Sequence, residues 1–415
     1  MTRRTELDTE ATGPLKGVRI LDLTSVMNGA YATQLLADQG AEVIKVEDPA
    51  SGRSGGGDIM RWNGSAPSGA PGMGPIFVSV NRNKRSVTLD LRKPADLDAL
   101  KRLIPTCDVF AASVRYDGLK RLGLGYEDVS ALRPDIVYAH AAGYGSDGPY
   151  AGLPAYDDLI QSASGMADVL PRTYPGMAPT LIPMLAADKV SGLFMTQAIT
   201  AALLHRARTG EGQFVEVPMF ECMASFTLVE HLYNHVYDPP AGEIGYARVI
   251  NPFRKPFATK DGYIGILPYT DRQWDQFFEA AGFGPAVSSD PRFATQPERV
   301  AHIRELYALV EKAAATKTTQ EWLDLLRPLS IPVGKMNRLD ELEDDPHLAA
   351  VGMFHRYEHP HIGPYKAVRP AVKFSKTPSN IYRHAPLLGE HTQEVLAEAG
   401  DLNASGSGSE RASDR

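Results

Sequence analysis

The stretch GVRILDLTSVMNGAYATQLLADQGAEVIKVE, Gly17 to Glu47, decides the fold of this 415-residue chain. It begins with a short apolar segment, Gly17–Leu23, which is typical of a buried strand, and it ends with a second one, Ala41–Glu47. Between them a helical run, AYATQLLADQ, ends at Gly40, a residue type that commonly terminates helices. Strand, helix and strand in about thirty residues form a βαβ unit, which requires parallel strands with helices on the sheet faces. The stretch therefore predicts an α/β fold.

The same alternation continues to about residue 220 and predicts an open, Rossmann-like α/β domain. Its further strand-like segments are Phe77–Val80, Val87–Leu91, Asp108–Ala111, Ile136–His140 and Phe214–Val217. Helices are expected at Pro94–Leu103, Tyr156–Met166 and Glu221–His235. Residues 50–75 are rich in Gly, Ser and Pro and predict a long loop.

A second, smaller α+β domain is predicted where the pattern changes, after Asn251. Its segments are a strand within Asp261–Thr270 and helices at Gln273–Ala281, Arg299–Ala315 and Thr319–Leu326. The chain then returns through edge strands in His355–Phe374 to a final helix, Leu388–Gly400. We expect a large domain at 15–225 completed by 346–400, linkers and a small domain at 226–345, and disordered tails at 1–14 and 401–415.

Composition limits the class of protein. Hydrophobic residues make up 43% of the chain and charged residues 22%, which is ordinary for a globular protein. The net charge of −7 argues against a nucleic-acid surface. Two cysteines, Cys107 and Cys222, do not form a disulfide framework, and no apolar window suggests a secretory signal or a membrane span. We expect a cytoplasmic protein without nucleic-acid or membrane partners.

Three short motifs have weak functional readings. Gly143–Gly148 has the spacing G-x-G-x-x-G, but Pro149 follows and no helix begins there, which argues against a nicotinamide or flavin site. Gly52–Gly56 matches G-x-S-x-G without the strand and helix that a nucleophile elbow needs. His231 and His235 lie four residues apart, and His355, His359 and His361 lie close together, but no HExxH motif or well-spaced acidic residue accompanies them. We predict histidines on the surface or in connecting segments, and no metal site.

Basic residues cluster at the ends of the predicted strands. They are Arg82, Lys84, Arg85, Arg92, Arg115 and Arg121. Ligands of open α/β sheets bind at strand ends, and arginine binds phosphate in a bidentate manner. The cluster is therefore either a polyphosphate site or a solvated rim, and spacing alone leaves both open.

One carboxylate lies in an unusually apolar segment, TLIPMLAADKVSGLFMTQAITAALLHRAR, Thr180–Arg208. The segment is apolar nearly all round and predicts a buried helix. Asp188 lies near its start, where it either caps the helix or serves as a functional group. The small residues beside it in AADKVSG, Ala186 and Ala187 before it and Ser191 and Gly192 after it, are expected to leave room for a substrate.

Seven blocks together resemble the class III CoA-transferase (CaiB/BaiF) family, the group of formyl-CoA transferase, carnitine CoA-transferase and 2-methylacyl-CoA racemase. The blocks are LKGVRILDLTSVMNGAYATQLLADQGAEVIKVEDP, NRNKRSVTLDLRKP, RLGLGYEDVSALRPDIVYAHAAGYGSDGPY, PAYDDLIQSASGM, AADKVSG, RTGEGQFVEV and PLLGEHTQEVL. They run in family order over about residues 15 to 400, so the resemblance is specific.

The resemblance implies an interlaced homodimer whose chains each have a large Rossmann-like domain and a small domain. It places the catalytic aspartate at Asp188, with CoA or acyl-CoA as a substrate, a carboxylic acid as the partner substrate and no permanent cofactor. The positions that it implies for CoA binding are Asn28, Leu89, Arg92, Ser113, Arg115, Arg121 and Tyr156. The expected chemistry is attack of Asp188 on a thioester, giving an aspartyl anhydride and then an aspartyl-CoA thioester.

Departures from the family pattern narrow the function. Asp48 stands where the family has an arginine, so that side of the adenine site is expected to be built differently. The glycine-rich loop of formyl-CoA transferases is absent from Asn251–Gly265, which disfavours formate and oxalate. Racemases have a His-Asp pair where this chain has Tyr156-Asp157, and a tyrosine of pKa about 10 exchanges protons poorly. Transfer is favoured, with a racemase or a non-catalytic CoA-binding protein as the alternatives.

The identity of the acids is open at this level. Arg248, Arg254 and Lys255 either bind a second carboxylate, as in a dicarboxylic acid such as succinate, or are surface cations.

Overall fold

The structure, a computed structural model, describes residues 6–49, 55–67, 69–284, 287 and 289–406. The described chain separates into two compact units. The first comprises residues 6–164, 182–226 and 349–406, and the second comprises residues 165–181 and 227–348. Residues 165–181 thus belong to the smaller unit, although they lie inside the range that we expected in the large domain.

The first unit is built on a parallel sheet of six described strands. They are β1 (Arg19–Leu23), β2 (Glu42–Glu47), β3 (Lys84–Thr88), β4 (Val109–Ala112), β5 (Val137–Ala142) and β6 (Gln213–Pro218). Their order is β3-β2-β1-β4-β5-β6, and Ile20 of β1 pairs with Val43 on one side and Val109 on the other. This is the doubly wound order, in which the chain changes direction across the sheet between β1 and β4.

Helices cover both faces of this sheet. The described helices of this unit are Asn28–Asp38, Pro75–Val80, Pro94–Leu103, Tyr116–Arg121, Tyr126–Leu132, Asp157–Ala163, Ala186–Thr209, the start of Met219–His231, the end of Pro346–Ala350, and Thr392–Gly406. Alternate strand residues face opposite sides, so Leu21 and Phe110 lie in one apolar core and Ile20 and Val109 in the other. Met195 of the long helix Ala186–Thr209 packs in the second core.

Three expectations for this unit are wrong. Phe77–Val80 is not a strand: Pro75 begins a helix whose Phe77 and Val80, three residues apart, are both buried. Residues 50–75 are not all loop, because Ile59–Trp62 forms a 3-10 helix. The final helix passes through Gly400 and ends at Gly406, because Gly400 does not adopt the positive φ with which a glycine commonly ends a helix.

The apolar sequence of the long helix Ala186–Thr209 predicts burial on all sides, but the helix is only partly buried. Leu193, Phe194 and Leu204 are 52%, 39% and 52% exposed. The helix is apolar on the face that packs on the sheet and also on the face that the single chain leaves uncovered.

Part of the N-terminal segment that we expected to be disordered is bound to the first unit. The N–H of Asp8 donates to the carbonyl of Ile381 over 3.3 Å, and Thr12 Oγ1 donates to the carbonyl of Pro378 over 2.7 Å. Residues 1–5 and 407–415 lie outside the described residues. The three strands of the second unit are β7 (Phe257–Ala258), β8 (Tyr263–Ile266) and β9 (Val333–Lys335). They are followed in the chain by β10 (Phe354–His359) and β11 (Gly363–Val368), which form a hairpin in the first unit.

The second unit combines the antiparallel strands β7, β8 and β9 with helices around an aromatic core. Its helices include Met166–Thr173, Asp271–Ala280, Gln296–Ala301, Ile303–Ala314 and Thr319–Leu326. The expected helix Arg299–Ala315 is therefore two helices that meet at His302. Within the described ranges, no helix combines the length and the apolarity that a membrane crossing needs.

Candidate active site

A cavity of about 740 Å³ opens at the carboxyl ends of β1, β4 and β5 in the first unit. Ser25 and Asn28 reach it from the turn after β1, and Ser113 and Arg115 reach it after β4. The N–H of Ser25 donates to Ser113 Oγ over 3.1 Å, which ties the two strand ends together. The cavity thus lies at the switch point of the sheet, where open α/β folds bind their ligands.

Asp188 lies in the wall of this cavity, in the first turn of the long helix. Leu185 is the N-cap, and no side chain caps this helix end, so Asp188 is not the helix cap. The residue is 7% exposed. Within the described part of the chain its carboxylate has no hydrogen-bond or ion-pair partner. A buried carboxylate without a partner is costly, which points to a functional role.

The surroundings of Asp188 change its acidity. Burial, followed by the charges of Asp157 and Asp158, raises the pKa of Asp188 from 3.8 to about 6. At neutral pH the group is still ionised but poorly solvated, which suits a carboxylate nucleophile.

Asp157 holds the backbone of Asp188, a contact that the sequence analysis did not find. Its Oδ1 accepts the N–H of Asp188 over 3.0 Å, and its Oδ2 accepts from Gln161 Nε2 over 2.6 Å. Gln161 also accepts the N–H of Ile182 over 2.9 Å and donates to the carbonyl of Met184 over 3.0 Å. The i, i+4 spacing of Asp157 and Gln161 on a short helix was the available signal.

We expected the small residues beside Asp188 to leave room for a substrate. The two that follow it, Ser191 and Gly192, instead pack against the helix Asn28–Asp38. A Cβ on Gly192 would lie 2.8 Å from the carbonyl oxygen of Asn28. Asn28 Nδ2 donates to Ser191 Oγ over 2.7 Å, and Ser191 Oγ donates to the carbonyl of Ala187 over 2.6 Å. Small side chains thus let the two helices approach closely at the head of the cavity.

The structure brings most of the expected CoA-binding residues together. Asn28, Ser113, Arg115, Arg121 and Tyr156 line the same cavity as Asp188. Two others lie outside its lining. Leu89 is packed in the apolar core, and Arg92 pairs with Asp90 at 2.7 Å and with Asp48 at 3.5 Å. Asp48 stands where the family has an arginine, and its carboxylate pairs with Arg92, a residue that the resemblance expects to bind CoA.

The basic cluster of the sequence analysis divides into two groups. Arg82 pairs with Asp38 at 2.6 Å, Lys84 with Asp22 at 3.1 Å and Arg85 with Glu398 at 2.7 Å. These three are bound inside the unit and form neither a rim nor a phosphate site. In the described residues Arg115 and Arg121 have no ion pair, and both line the cavity.

The glycine loop Gly143–Gly148 is held by carboxylates. The N–H of Gly145 donates to Glu221 Oε1 over 2.9 Å, and the N–H of Ser146 donates to Glu216 Oε2 over 3.1 Å. Backbone donors that a pyrophosphate needs are therefore already used, and by groups that repel phosphate. The G-x-S-x-G letters lie partly outside the described residues. Across the ranges that are described, no group of three His, Cys, Asp or Glu side chains is arranged to hold a metal ion.

The fold and the cavity define an open α/β protein with a buried carboxylate, Asp188, at the switch point of its sheet, and the comparisons give its family. The sequence model of CoA-transferase family III matches residues 15–392. Mouse succinyl-CoA:glutarate CoA-transferase is 34% identical over 400 residues, which cover 96% of this chain and 89% of that protein. Formyl-CoA:oxalate CoA-transferase of Afipia carboxidovorans is 30% identical, with 92% and 93% of the two chains covered.

A solved structure gives the same result. The crystal structure of a CaiB/BaiF family protein from Brucella suis matches with a TM-score of 0.77 at 30% identity and covers 94% of this chain and 100% of that one. The chain belongs to CoA-transferase family III and is an enzyme that transfers CoA.

Proposed function

We propose that the enzyme moves CoA from an acyl-CoA to a carboxylic acid, with Asp188 as the covalent carrier. The observation that carries this proposal is the unpaired, buried carboxylate of Asp188 in the wall of a cavity at the switch point of the sheet. The pKa of Asp188 is raised mainly by burial, and a poorly solvated carboxylate is the more reactive toward a thioester carbonyl.

In the first step an Asp188 oxygen attacks the thioester carbonyl. The C–S bond breaks, CoA leaves as a thiolate, and an aspartyl–acyl anhydride forms. The thiolate then attacks the aspartyl carbonyl of the anhydride, which releases the donor acid and gives an aspartyl-CoA thioester. The acceptor carboxylate reverses these two steps and leaves as the new acyl-CoA. One thioester replaces another, so the exchange needs no further energy source.

Charge in the cavity supports binding of CoA. Arg115 and Arg121 offer guanidinium groups to the phosphates of CoA, on a protein whose net charge is −7. Asn28 and Ser113 add short polar side chains to the same lining. We assign to these residues the binding of CoA, and to Tyr156, which is 66% exposed, a place at the rim.

For the acids we propose short dicarboxylic acids. The mouse relative is named for succinyl-CoA and glutarate. Arg248, one of the cations that the sequence analysis left open, lies in the second unit with its guanidinium 4.5 Å from the ring centre of Tyr269 and beside the hydroxyls of Tyr307 and Tyr246. The formyl-CoA:oxalate relative is a reason to include oxalate in the substrate panel.

We also propose that the enzyme is a homodimer in which a second copy covers the long helix. The exposed side chains of Leu193, Phe194 and Leu204 form an apolar face that water solvates poorly. Sedimentation of wild-type protein and of Leu193→Glu tests this assignment: dissociation of the variant supports it, and an unchanged dimer contradicts it.

Trapping of the covalent intermediate tests the nucleophile. Succinyl-CoA and a panel of other acyl-CoA donors are mixed with the enzyme, and peptides are analysed by mass spectrometry. We expect an acyl or CoA adduct on Asp188, and transfer to glutarate or a related acid, both absent in Asp188→Ala. CoA binding without any adduct or exchange would indicate the non-catalytic alternative, and deuterium uptake at the α-carbon of a 2-methylacyl-CoA would indicate the racemase.

A further inference from the structure

The turn that joins β1 to the helix Asn28–Asp38 has a strained backbone. Val26 in this turn has φ of 68°, a value that β-branched residues rarely adopt. Val26 also lines the cavity that contains Asp188. Strain of this kind persists only where neighbouring groups enforce it, and it occurs most often at functional sites.

A buried ion pair enforces this conformation. Asp58 Oδ1 accepts the N–H of Val26 over 3.1 Å, and Asp58 Oδ2 lies 2.9 Å from Lys45 Nζ. Lys45 Nζ donates in turn to the carbonyl of Thr24 over 2.7 Å. The side chains of Lys45 and Asp58 are both 0% exposed. One ion pair therefore holds the backbone of the turn at Thr24 and at Val26.

A second buried pair fixes the flanks of the same turn. Asp22 accepts the N–H of Thr24 over 2.9 Å, and Lys84 Nζ, paired with Asp22, donates to the carbonyl of Ala30 over 2.9 Å. Buried ion pairs are often no more stabilising than apolar residues of the same size. Four buried charges around one turn are therefore better explained by the geometry that they impose than by stability.

The group that the turn places in the cavity is Asn28. Ser191 uses its proton on the carbonyl of Ala187, so its oxygen accepts from Asn28 Nδ2. This leaves Asn28 Oδ1 as an acceptor, and it has no partner in the described chain. Asn28 is 6% exposed and lines the cavity. An amide N–H of the pantetheine arm of CoA is a donor of the right kind for this oxygen.

We propose that Lys45 and Asp58 are positioning residues for acyl-CoA. They hold Val26 in its strained conformation, and this conformation places Asn28 Oδ1 to accept an N–H of the pantetheine arm beside Asp188. The inference rests on the proposed CoA transfer and adds the residues that align its thioester substrate.

The test measures kcat/KM of the full-length enzyme for the acyl-CoA and for the acceptor acid separately. Asp58→Asn keeps the size of the side chain and removes the charge opposite Lys45. We expect kcat/KM for acyl-CoA to fall about tenfold, the loss of one well-made hydrogen bond. The value for the acid should stay within about twofold, because CoA is already attached to Asp188 when the acid reacts.

Two further variants separate positioning from general stability. Asp38→Asn removes another buried, ion-paired carboxylate, at the far end of the helix Asn28–Asp38, and should lower the melting temperature without changing the ratio of the two kcat/KM values. Val26→Gly added to Asp58→Asn should restore most of the activity, because glycine adopts positive φ without being held.

Equal loss of both kcat/KM values in Asp58→Asn, the same pattern in Asp38→Asn, or no rescue by Val26→Gly would overturn the proposal. If Asp58→Asn does not fold, Asn28→Ala tests the chain of contacts from the cavity side, and a kcat/KM for acyl-CoA within about twofold of wild type then contradicts it. Calorimetry with free CoA makes the same comparison without turnover. Weaker CoA binding by Asp58→Asn supports positioning even if no acid is found to accept CoA, and equal binding overturns it.

Discussion

The buried charge of Asp188 should lower the stability of the folded protein at neutral pH. The variant Asp188→Asn should therefore be more stable than the wild type. Asp188→Asn keeps the shape of the side chain and removes a charge that is 7% exposed and lies beside Asp157 and Asp158. Burial and these two charges hold the pKa of Asp188 at about 6, compared with 3.8 for an ordinary aspartate.

The size of the effect follows from these two values. One pKa unit corresponds to about 1.36 kcal/mol, so the penalty for ionised Asp188 in the folded state is about 3 kcal/mol. A raised carboxyl pKa means that the folded state binds the proton more tightly, so the penalty is complete above pH 6. It shrinks as the pH falls, to about half at pH 5, and disappears below pH 3.8, where both states are protonated.

Melting temperatures at pH 7.5 and pH 5 check this reasoning. We expect Asp188→Asn to raise the melting temperature at pH 7.5 by about 5 °C, and by about half as much at pH 5. Asp275→Asn, a substitution of the same kind at an exposed position, serves as the control and should change the free energy of unfolding by less than about 0.5 kcal/mol. A melting temperature that does not rise, or that rises equally at both pH values, would refute the assigned burial and charge environment of Asp188.

Three other results are expected. The log of kcat/KM for acyl-CoA should rise with slope one below an inflection near pH 6 and level off above it, since only ionised Asp188 attacks; a flat profile between pH 5 and 7 contradicts this. Gly192→Ala should destabilise the protein by about 1–3 kcal/mol, measured by denaturation, because its Cβ would lie 2.8 Å from the Asn28 carbonyl; a neutral effect would show that the helices are free to separate. Asp157→Ala should lower kcat by about tenfold or more, because it frees the backbone of Asp188, and the CoA affinity measured by calorimetry should not change. Loss of affinity alone would argue against this role.

Much of the fold was predictable because its signals are local. The helices Pro94–Leu103 and Thr319–Leu326 have the predicted bounds, and β1 and β2 lie within the predicted apolar segments. Phe77–Val80 was assigned wrongly because four apolar residues fit a strand and a short helix equally well. Strand β3 begins three residues earlier than predicted, since Lys84 and Arg85 read as loop residues.

The sequence also predicted most of the residues that line the cavity, but not the residues that support them. Blocks in family order predict the nucleophile at Asp188 and seven positions for CoA, and five of these seven residues line the same cavity as Asp188. The supporting groups were not found, because Asp58 and Asp157 accept the N–H groups of Val26 and Asp188, which lie 32 and 31 residues away in the sequence. Such contacts leave no periodicity and no motif in a single sequence.

The sequence by itself determined the α/β class, the family and the carboxylate expected to carry CoA, because these depend on local pattern and on the order of short blocks. Only the tertiary structure decided which charges serve the cavity. Arg82, Lys84 and Arg85 look like a phosphate site in the sequence, yet each is bound to a carboxylate elsewhere in the chain, such as Asp22 for Lys84. The partner of a buried charge is set by how distant strands and helices pack together, and a single sequence does not display that packing.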